Sequence, residues 1–207
     1  FCSPVNFRPL EIGFDLELHS ATKYLNGHSD IVAGCVIGSS DLVGRTKRRL
    51  NHLGGTLDPH ACFLLHRGMK TLSLRVERQN ANGQAVAEYL VNHPRIDRVF
   101  YPGLSSHPDH ERARDLFDGF GGVLSFEVSG DVDAADRLIA ELELPMFAPS
   151  LGGVETLITR PVLTTHSGLS PAEREAAGIT DRMVRIALGI EDVTDICEDF
   201  DQALEKV

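Results

Sequence analysis

The sequence predicts an α/β protein built in two parts. Three observations carry this. Residues 31–37 (Ile-Val-Ala-Gly-Cys-Val-Ile) form a short apolar run rich in β-branched residues, as a buried strand requires. A helical stretch opens at Asp58-Pro59, with Asp58 as cap and Pro59 at the first helical position, and continues to about Asn92, ahead of His93-Pro94. Beyond it, strand and helix candidates alternate to the end of the chain.

Taken in order, residues 14–18 (Phe-Asp-Leu-Glu-Leu) alternate apolar and acidic and suggest a short strand. A polar, turn-like segment, His19 to His28, separates it from the run at 31–37. Residues 41–50 suggest a surface helix whose basic run, Arg45, Lys47, Arg48 and Arg49, reads first as a solvated face, with an anion- or nucleic-acid-binding patch as the alternative. The helix over 59–92 has Gly68 and Gly83 as weak points. At about 1.5 Å per residue it would span roughly 50 Å, long enough to cross from one domain to another. This places the domain boundary near residue 92, giving parts 1–92 and 93–207. In the second part the strand candidates are Arg98–Tyr101, Gly122–Val128 and Met183–Leu188. The helix candidates are Ala134–Leu142, Pro171–Ala177 and an amphipathic stretch, Asp192–Val207, with Val193, Ile196, Phe200 and Leu204 on one face.

Composition bounds the function. The 207 residues suffice for a buried core, and 42% hydrophobic with 24% charged residues is the balance of a globular chain. With 20 Lys and Arg against 30 Asp and Glu, the net charge of −10 argues against a nucleic-acid partner, which draws on clustered positive charge. No apolar run approaches the ~20 residues of a membrane span. Cys2, Cys35, Cys62 and Cys197 are scattered without a C-x-x-C pair, so reduced thiols are expected rather than disulfides or zinc. Phe1-Cys2-Ser3-Pro4 has no basic and apolar leader pattern. Together these make a cytoplasmic chain the expectation.

Ser20-Ala21-Thr22-Lys23 holds the most chemistry. A lysine in a loop between buried strands can lose solvation, which lowers its pKa and prepares it for Schiff-base work. Ser20 and Thr22 add hydroxyls suited to phosphate oxygens. Alone, a lysine beside hydroxyls is weak evidence, and the pattern favours a surface lysine. In Met183–Leu188, alternation sets Arg185 opposite Val184, Ile186 and Leu188. An arginine there needs an anionic partner, either a structural carboxylate or a ligand. Elsewhere, His107 and His110 lack a third ligand, so no metal is expected, and Gly121-Gly122 has no phosphate-loop context.

The segment His19-Ser-Ala-Thr-Lys-Tyr-Leu-Asn-Gly-His-Ser-Asp30, followed by Ile31-Val-Ala-Gly34, resembles the cofactor-lysine motif of the Cys/Met metabolism (transsulfuration) family of pyridoxal 5'-phosphate (PLP) enzymes. The likeness continues through Arg8-Pro9-Leu10-Glu11, Gly68-Met-Lys-Thr-Leu72, Tyr101-Pro-Gly103, Ser150-Leu-Gly-Gly153, Glu155-Thr-Leu157, Thr165-His-Ser167, Val184-Arg-Ile186 and Gly189-Ile-Glu-Asp192. It implies the C-terminal part of a fold-type I (aspartate aminotransferase-like) large domain, followed by a small α/β domain. The residues that in the family meet the pyridine nitrogen, stack on the ring or come from a neighbouring subunit would then lie in an N-terminal half outside residues 1–207. The resemblance implies that Lys23 binds PLP as a Schiff base and then removes the Cα proton. It assigns the cofactor phosphate to Ser20 and Thr22, and the substrate carboxylate to Arg185, with Ser150 contacting that carboxylate or Lys23. Pro149 stands where the cystathionine enzymes of the family typically carry glutamate. The expected activity is therefore a C–S lyase on a sulfur amino acid, methionine γ-lyase- or cystathionine γ-lyase-like. A γ-replacement enzyme (cystathionine γ-synthase or O-acylhomoserine sulfhydrylase) is the alternative. A non-catalytic fragment or structural subunit is the alternative of another class. The family's habit implies a homo-oligomer, a dimer of dimers.

Overall fold

A computed structural model describes residues 1–207. A short helix α1 (Ser3–Asn6) and a 3-10 turn lead into β1 (Leu16–Ser20), which pairs antiparallel with β2 (Gly34–Gly38). Helices α2 (Ser40–Leu53), α3 (Pro59–Met69) and α4 (Leu72–Val91) follow. Then come β3 (Ile96–Phe100), α5 (His110–Leu116), β4 (Val123–Val128), α6 (Ala134–Glu141), β5 (Met146–Phe147) and β6 (Leu157–Thr159). The chain ends with α7 (Pro171–Ala176), β7 (Met183–Ala187) and α8 (Val193–Leu204). Five of the strands form one sheet in the order β3-β4-β7-β6-β5, antiparallel except at β5–β6.

Period-two alternation gives this sheet two working faces. Leu124, Phe126 and Val128 of β4 and Val184 and Ile186 of β7 point to a core closed by α4, α6 and α8, through Val86, Leu90, Leu138, Ile196 and Phe200. Phe126 and Phe200 meet edge to face with centroids 5.8 Å apart, an arrangement adding about 0.5–1.5 kcal/mol to their burial. Val123, Leu157 and Ala187 on the opposite face pack with Tyr24, Val76 and Leu151. That second face looks toward the lysine loop.

The helix expected over 59–92 is two helices. They break at Lys70-Thr71, two residues past Gly68, whose missing Cβ makes room for the Asn26 carbonyl. Gly83 does not break the helix. It lets α4 lie against the Gly121-Gly122 backbone, and a Cβ there would sit 2.8 Å from the Tyr101 hydroxyl.

The first strand starts at Leu16 and inverts its expected pattern: Glu17 is buried against His19, and Leu18 is 72% exposed. Ile31–Ala33 stay outside β2. Ala33 spends its backbone on Thr22, accepting from Thr22 N at 3.1 Å and donating to Thr22 Oγ1 at 2.9 Å. The short elements α1, α5, β5 and β6 have too few residues to show a period. The cysteines are unpaired, and no helix is long and apolar enough to cross a membrane.

Candidate active site

Residues 21–26 make a tight turn off the end of β1, closed by Lys23 N to Ser20 O at 3.1 Å and Gly27 N to Lys23 O at 2.8 Å. The turn aims the Lys23 side chain at a loop from the other end of the chain. There Nζ donates to Ser150 Oγ at 2.9 Å. Behind that loop, Arg185 Nη2 donates to the Ser150 carbonyl at 2.7 Å and the Pro149 carbonyl at 2.8 Å. Arg185 sits at the centre of β7, opposite Ser125 and Thr159, on the face away from the main core. Three residues far apart in sequence thus meet because one strand, one turn and one loop converge.

The electrostatics follow from that convergence. Burial first, and then the nearby Arg185 cation, hold the Lys23 ammonium below its ordinary pKa. Burial also draws down the Arg185 pKa, opposed by Tyr24. Arg185 Nε is buried with no partner. A buried guanidinium with an unmatched N–H is a site for an anion, and its planar fork suits a carboxylate.

The loop at 150–153 is itself tightly placed. Gly152 has φ 79, and a Cβ on it would lie 2.7 Å from Tyr24 N. Gln79 from α4 donates to Gly153 O at 2.7 Å. Burial pushes the Tyr24 phenol up to about 12, with the Gly122 backbone pulling the other way. Two serines with left-handed backbone, Ser3 (φ 61) and Ser29 (φ 57), flank the lysine turn. Ser3 shares a small cavity with His19, Ser20 and Lys23, and Ser29 bonds Glu155. Such strained positions gather at functional sites.

The other expected residues divide. Ser20 lines the Lys23 cavity with an exposed side chain. Thr22 does not stand free beside it: its hydroxyl donates to the Ala33 carbonyl at 3.2 Å and accepts from Ala33 N at 2.9 Å, so it closes the turn. His107 Nδ1 accepts from Asp109 N, His110 contacts the Pro102 carbonyl, and His166 contacts Thr165, each a local bond. Tyr24, Gln79 and Arg75 also frame the site, and no motif assigns them a role. Gln79 reaches Gly153 and Arg75 reaches Tyr24 across tens of residues, so no local pattern marks these contacts.

As chemistry, the site offers an amine with a depressed pKa, a hydroxyl held against it, and a guanidinium with an unfilled donor. That set can form an imine with a carbonyl compound, move a proton and hold a carboxylate. A family model described as Cys/Met metabolism PLP-dependent enzyme matches residues 1–205. Chloroplastic cystathionine gamma-synthase 1 of Arabidopsis thaliana is 45% identical over 207 residues, covering 100% of this chain and 37% of that protein. L-methionine gamma-lyase of Fusobacterium nucleatum subsp. polymorphum is 44% identical, with 53% of that protein covered. Cystathionine gamma-lyase of Bacillus subtilis (strain 168) is 44% identical, with 55% covered. The crystal structure of cystathionine gamma synthase from Xanthomonas oryzae pv. oryzae in complex with cystathionine superposes with a TM-score of 0.95 at 40% identity. The match covers 100% of this chain and 54% of that one. The chain spans about half or less of the length of the relatives it matches.

Proposed function

The chain belongs to the Cys/Met metabolism PLP-dependent enzyme family, and from that premise we propose that it carries the lysine half of a PLP-dependent C–S lyase acting on a sulfur amino acid. The observation that carries this is the Lys23 amine, 2.9 Å from Ser150 Oγ and backed by Arg185. The residues fit the cofactor and its substrate: a low-pKa amine for an aldehyde, an exposed Ser20 hydroxyl for a phosphate, and the orphaned Arg185 Nε for a carboxylate. When bound, PLP supplies an electron sink for charge developing at Cα.

The chain's own residues do the rest. Lys23 Nζ would hold the cofactor and, as a free amine, would take the proton from the substrate Cα. Ser150 Oγ orients that amine. Arg185 fixes the substrate carboxylate, which sets the Cα–H direction. Ser20 holds phosphate, while Thr22 keeps the turn closed and supports that grip through the backbone. Residues 1–92 would form the lysine-bearing domain and 93–207 the small domain, in a homo-oligomer completed by the protein's other half.

Product analysis on the intact protein tests the reaction. Ammonia and a 2-oxo acid from methionine, homocysteine or cystathionine are expected. A new thioether amino acid from an acylated homoserine and a thiol, with no 2-oxo acid, would establish γ-replacement instead. The likeness to cystathionine gamma-synthases favours that second reading. Pro149 favours the first, since it offers Arg185 only a carbonyl and a distal amine no charge. A protein that neither binds PLP nor turns over would leave a structural chain.

A further inference from the structure

Arg75, in the first turn of α4, is buried to 4% exposure and has no carboxylate partner. Its Nε donates to Thr71 Oγ1 at 3.1 Å and its Nη1 to the Tyr24 carbonyl at 2.8 Å. Its Nη2 donates to the Gly68 carbonyl at 2.9 Å and, more weakly, to the Leu25 carbonyl at 3.5 Å. Tyr24 and Leu25 are the two residues after Lys23. Both are buried, and no backbone N–H reaches either carbonyl, so Arg75 is their donor. The turn then passes directly over the guanidinium: Gly27 has φ 74, and a Cβ there would run into Arg75. The guanidinium therefore ties three things at one point: the end of α3, the start of α4 and the lysine turn.

We infer that Arg75 is a positioning residue for Lys23, locking the turn to the α3–α4 elbow so that Nζ stays against Ser150 and Arg185. This rests on Lys23 being the reacting amine. The amino side of the turn has its own anchor, Thr22 on Ala33. The carboxyl side has Arg75. Released from it, the turn would leave two buried carbonyls unmatched, and the lysine would gain freedom to swing toward solvent. The titratable and charged groups around Nζ are Arg185 on β7, Tyr24 in the turn and His19 on β1. A swing away from Arg185 and out of its burial would return the amine toward ordinary behaviour.

The test uses the intact protein with PLP, borohydride fixation and peptide mass mapping. Arg75→Lys keeps the charge but not the fork. It is expected to keep the wild-type circular dichroism and still fix PLP on Lys23. The pH at which half of Lys23 is captured should move up by about one unit. The kcat should fall about 10- to 100-fold, with KM moving much less, as a misplaced reacting group costs. Arg75→Met should do the same or more. Wild-type capture midpoints and kcat in both variants, with only a lower melting temperature, would overturn the inference and leave Arg75 a scaffold residue. Should either variant fail to fold, Thr71→Val, which removes one Arg75 partner, decides by the same midpoint. Lys23→Ala separates the premise: a fixed adduct persisting there removes Lys23 as the reacting amine, whatever Arg75 does.

Discussion

Around the five-stranded sheet, order comes from apolar packing: a cluster of 20 buried hydrophobic residues spans four strands or their flanks and three helices. Around β1 and β2, within residues 1–207, several apolar side chains are exposed instead, with Phe14 59%, Leu18 72% and Val32 87% exposed. The lysine turn beside them adds directed polar bonds to the packing of Tyr24 on Val76 and Leu151: Thr22 on Ala33, Arg75 on the Tyr24 and Leu25 carbonyls, and Asn26 Nδ2 on Asp30 at 2.7 Å. Hydrogen bonds have directions and apolar contacts do not. A core built of contacts makes a rigid platform. A turn built of directed bonds fixes where one side chain points. The candidate lysine sits on the second kind of structure and its partner Arg185 on the first.

The sharpest way to test that division is to remove the side chain being aimed. Lys23→Ala in the intact protein should lower turnover by about a thousandfold or more while leaving the melting temperature near wild type. A collapse of the fold instead would mean that the turn depends on its lysine. The same residue also ties stability to pH. Its folded pKa is held down, so between that value and the ordinary lysine value the unfolded chain carries more protons. Stability should therefore rise with pH through that window and level off above it. Lys23→Met should flatten this part of the profile, read by denaturant unfolding at stepped pH.

The packing side of the comparison predicts unequal costs for residues that look alike in sequence. Phe200, at 0% exposure, should cost about 3–5 kcal/mol on truncation to Ala in urea unfolding of residues 1–207. Leu18→Ser in the same chain should stay within about 0.5 kcal/mol, because its side chain is already in water. Equal costs would break the distinction between the two regions. Arg185→Lys keeps a cation but loses the fork. It should raise KM for a carboxylate substrate about tenfold, in keeping with one charge-assisted hydrogen bond, with little change in stability.

This division also tracks what could be read from the chain. Met183–Ala187 was legible because packing alternates with sequence: Val184 and Ile186 go to the core and Arg185 to the other face. The cap at Asp58 was legible because a cap is local, its side chain accepting from the backbone N–H groups of His60 and Ala61. The α3–α4 break was legible only as a weak point at Gly68, since what fixes it is long-range: Gly68 packs on the Asn26 carbonyl and Arg75 reaches back to Tyr24. The inversion in β1 was not legible, because there Glu17 turns inward to His19 against the hydropathy of the segment. The family likeness named Lys23, Ser150 and Arg185, but only the fold brings them within hydrogen-bond reach. For Thr22 the likeness named a phosphate ligand, and the fold puts its hydroxyl on a carbonyl.

That last difference carries its own test. Thr22 and Ser20 look interchangeable in sequence, two hydroxyls flanking one alanine before the lysine. In the fold Thr22 gives its proton to Ala33 O and receives one from Ala33 N, so both of its roles serve the turn. Replacing it by valine keeps the shape and removes both side-chain bonds, leaving the partly buried Ala33 N–H unmatched while the Ala33 carbonyl keeps the Thr22 N–H. A cost of about 1–3 kcal/mol is expected with or without PLP present. Ser20 is exposed, so Ser20→Ala should leave the cofactor-free protein unchanged and weaken PLP retention about tenfold, measured by dialysis and absorbance. The two variants must therefore separate when stability is measured without cofactor. If Thr22→Val costs nothing there and loses PLP as Ser20→Ala does, then Thr22 turns from Ala33 to the phosphate on binding. The turn would then be set by its ligand rather than by its own hydrogen bonds.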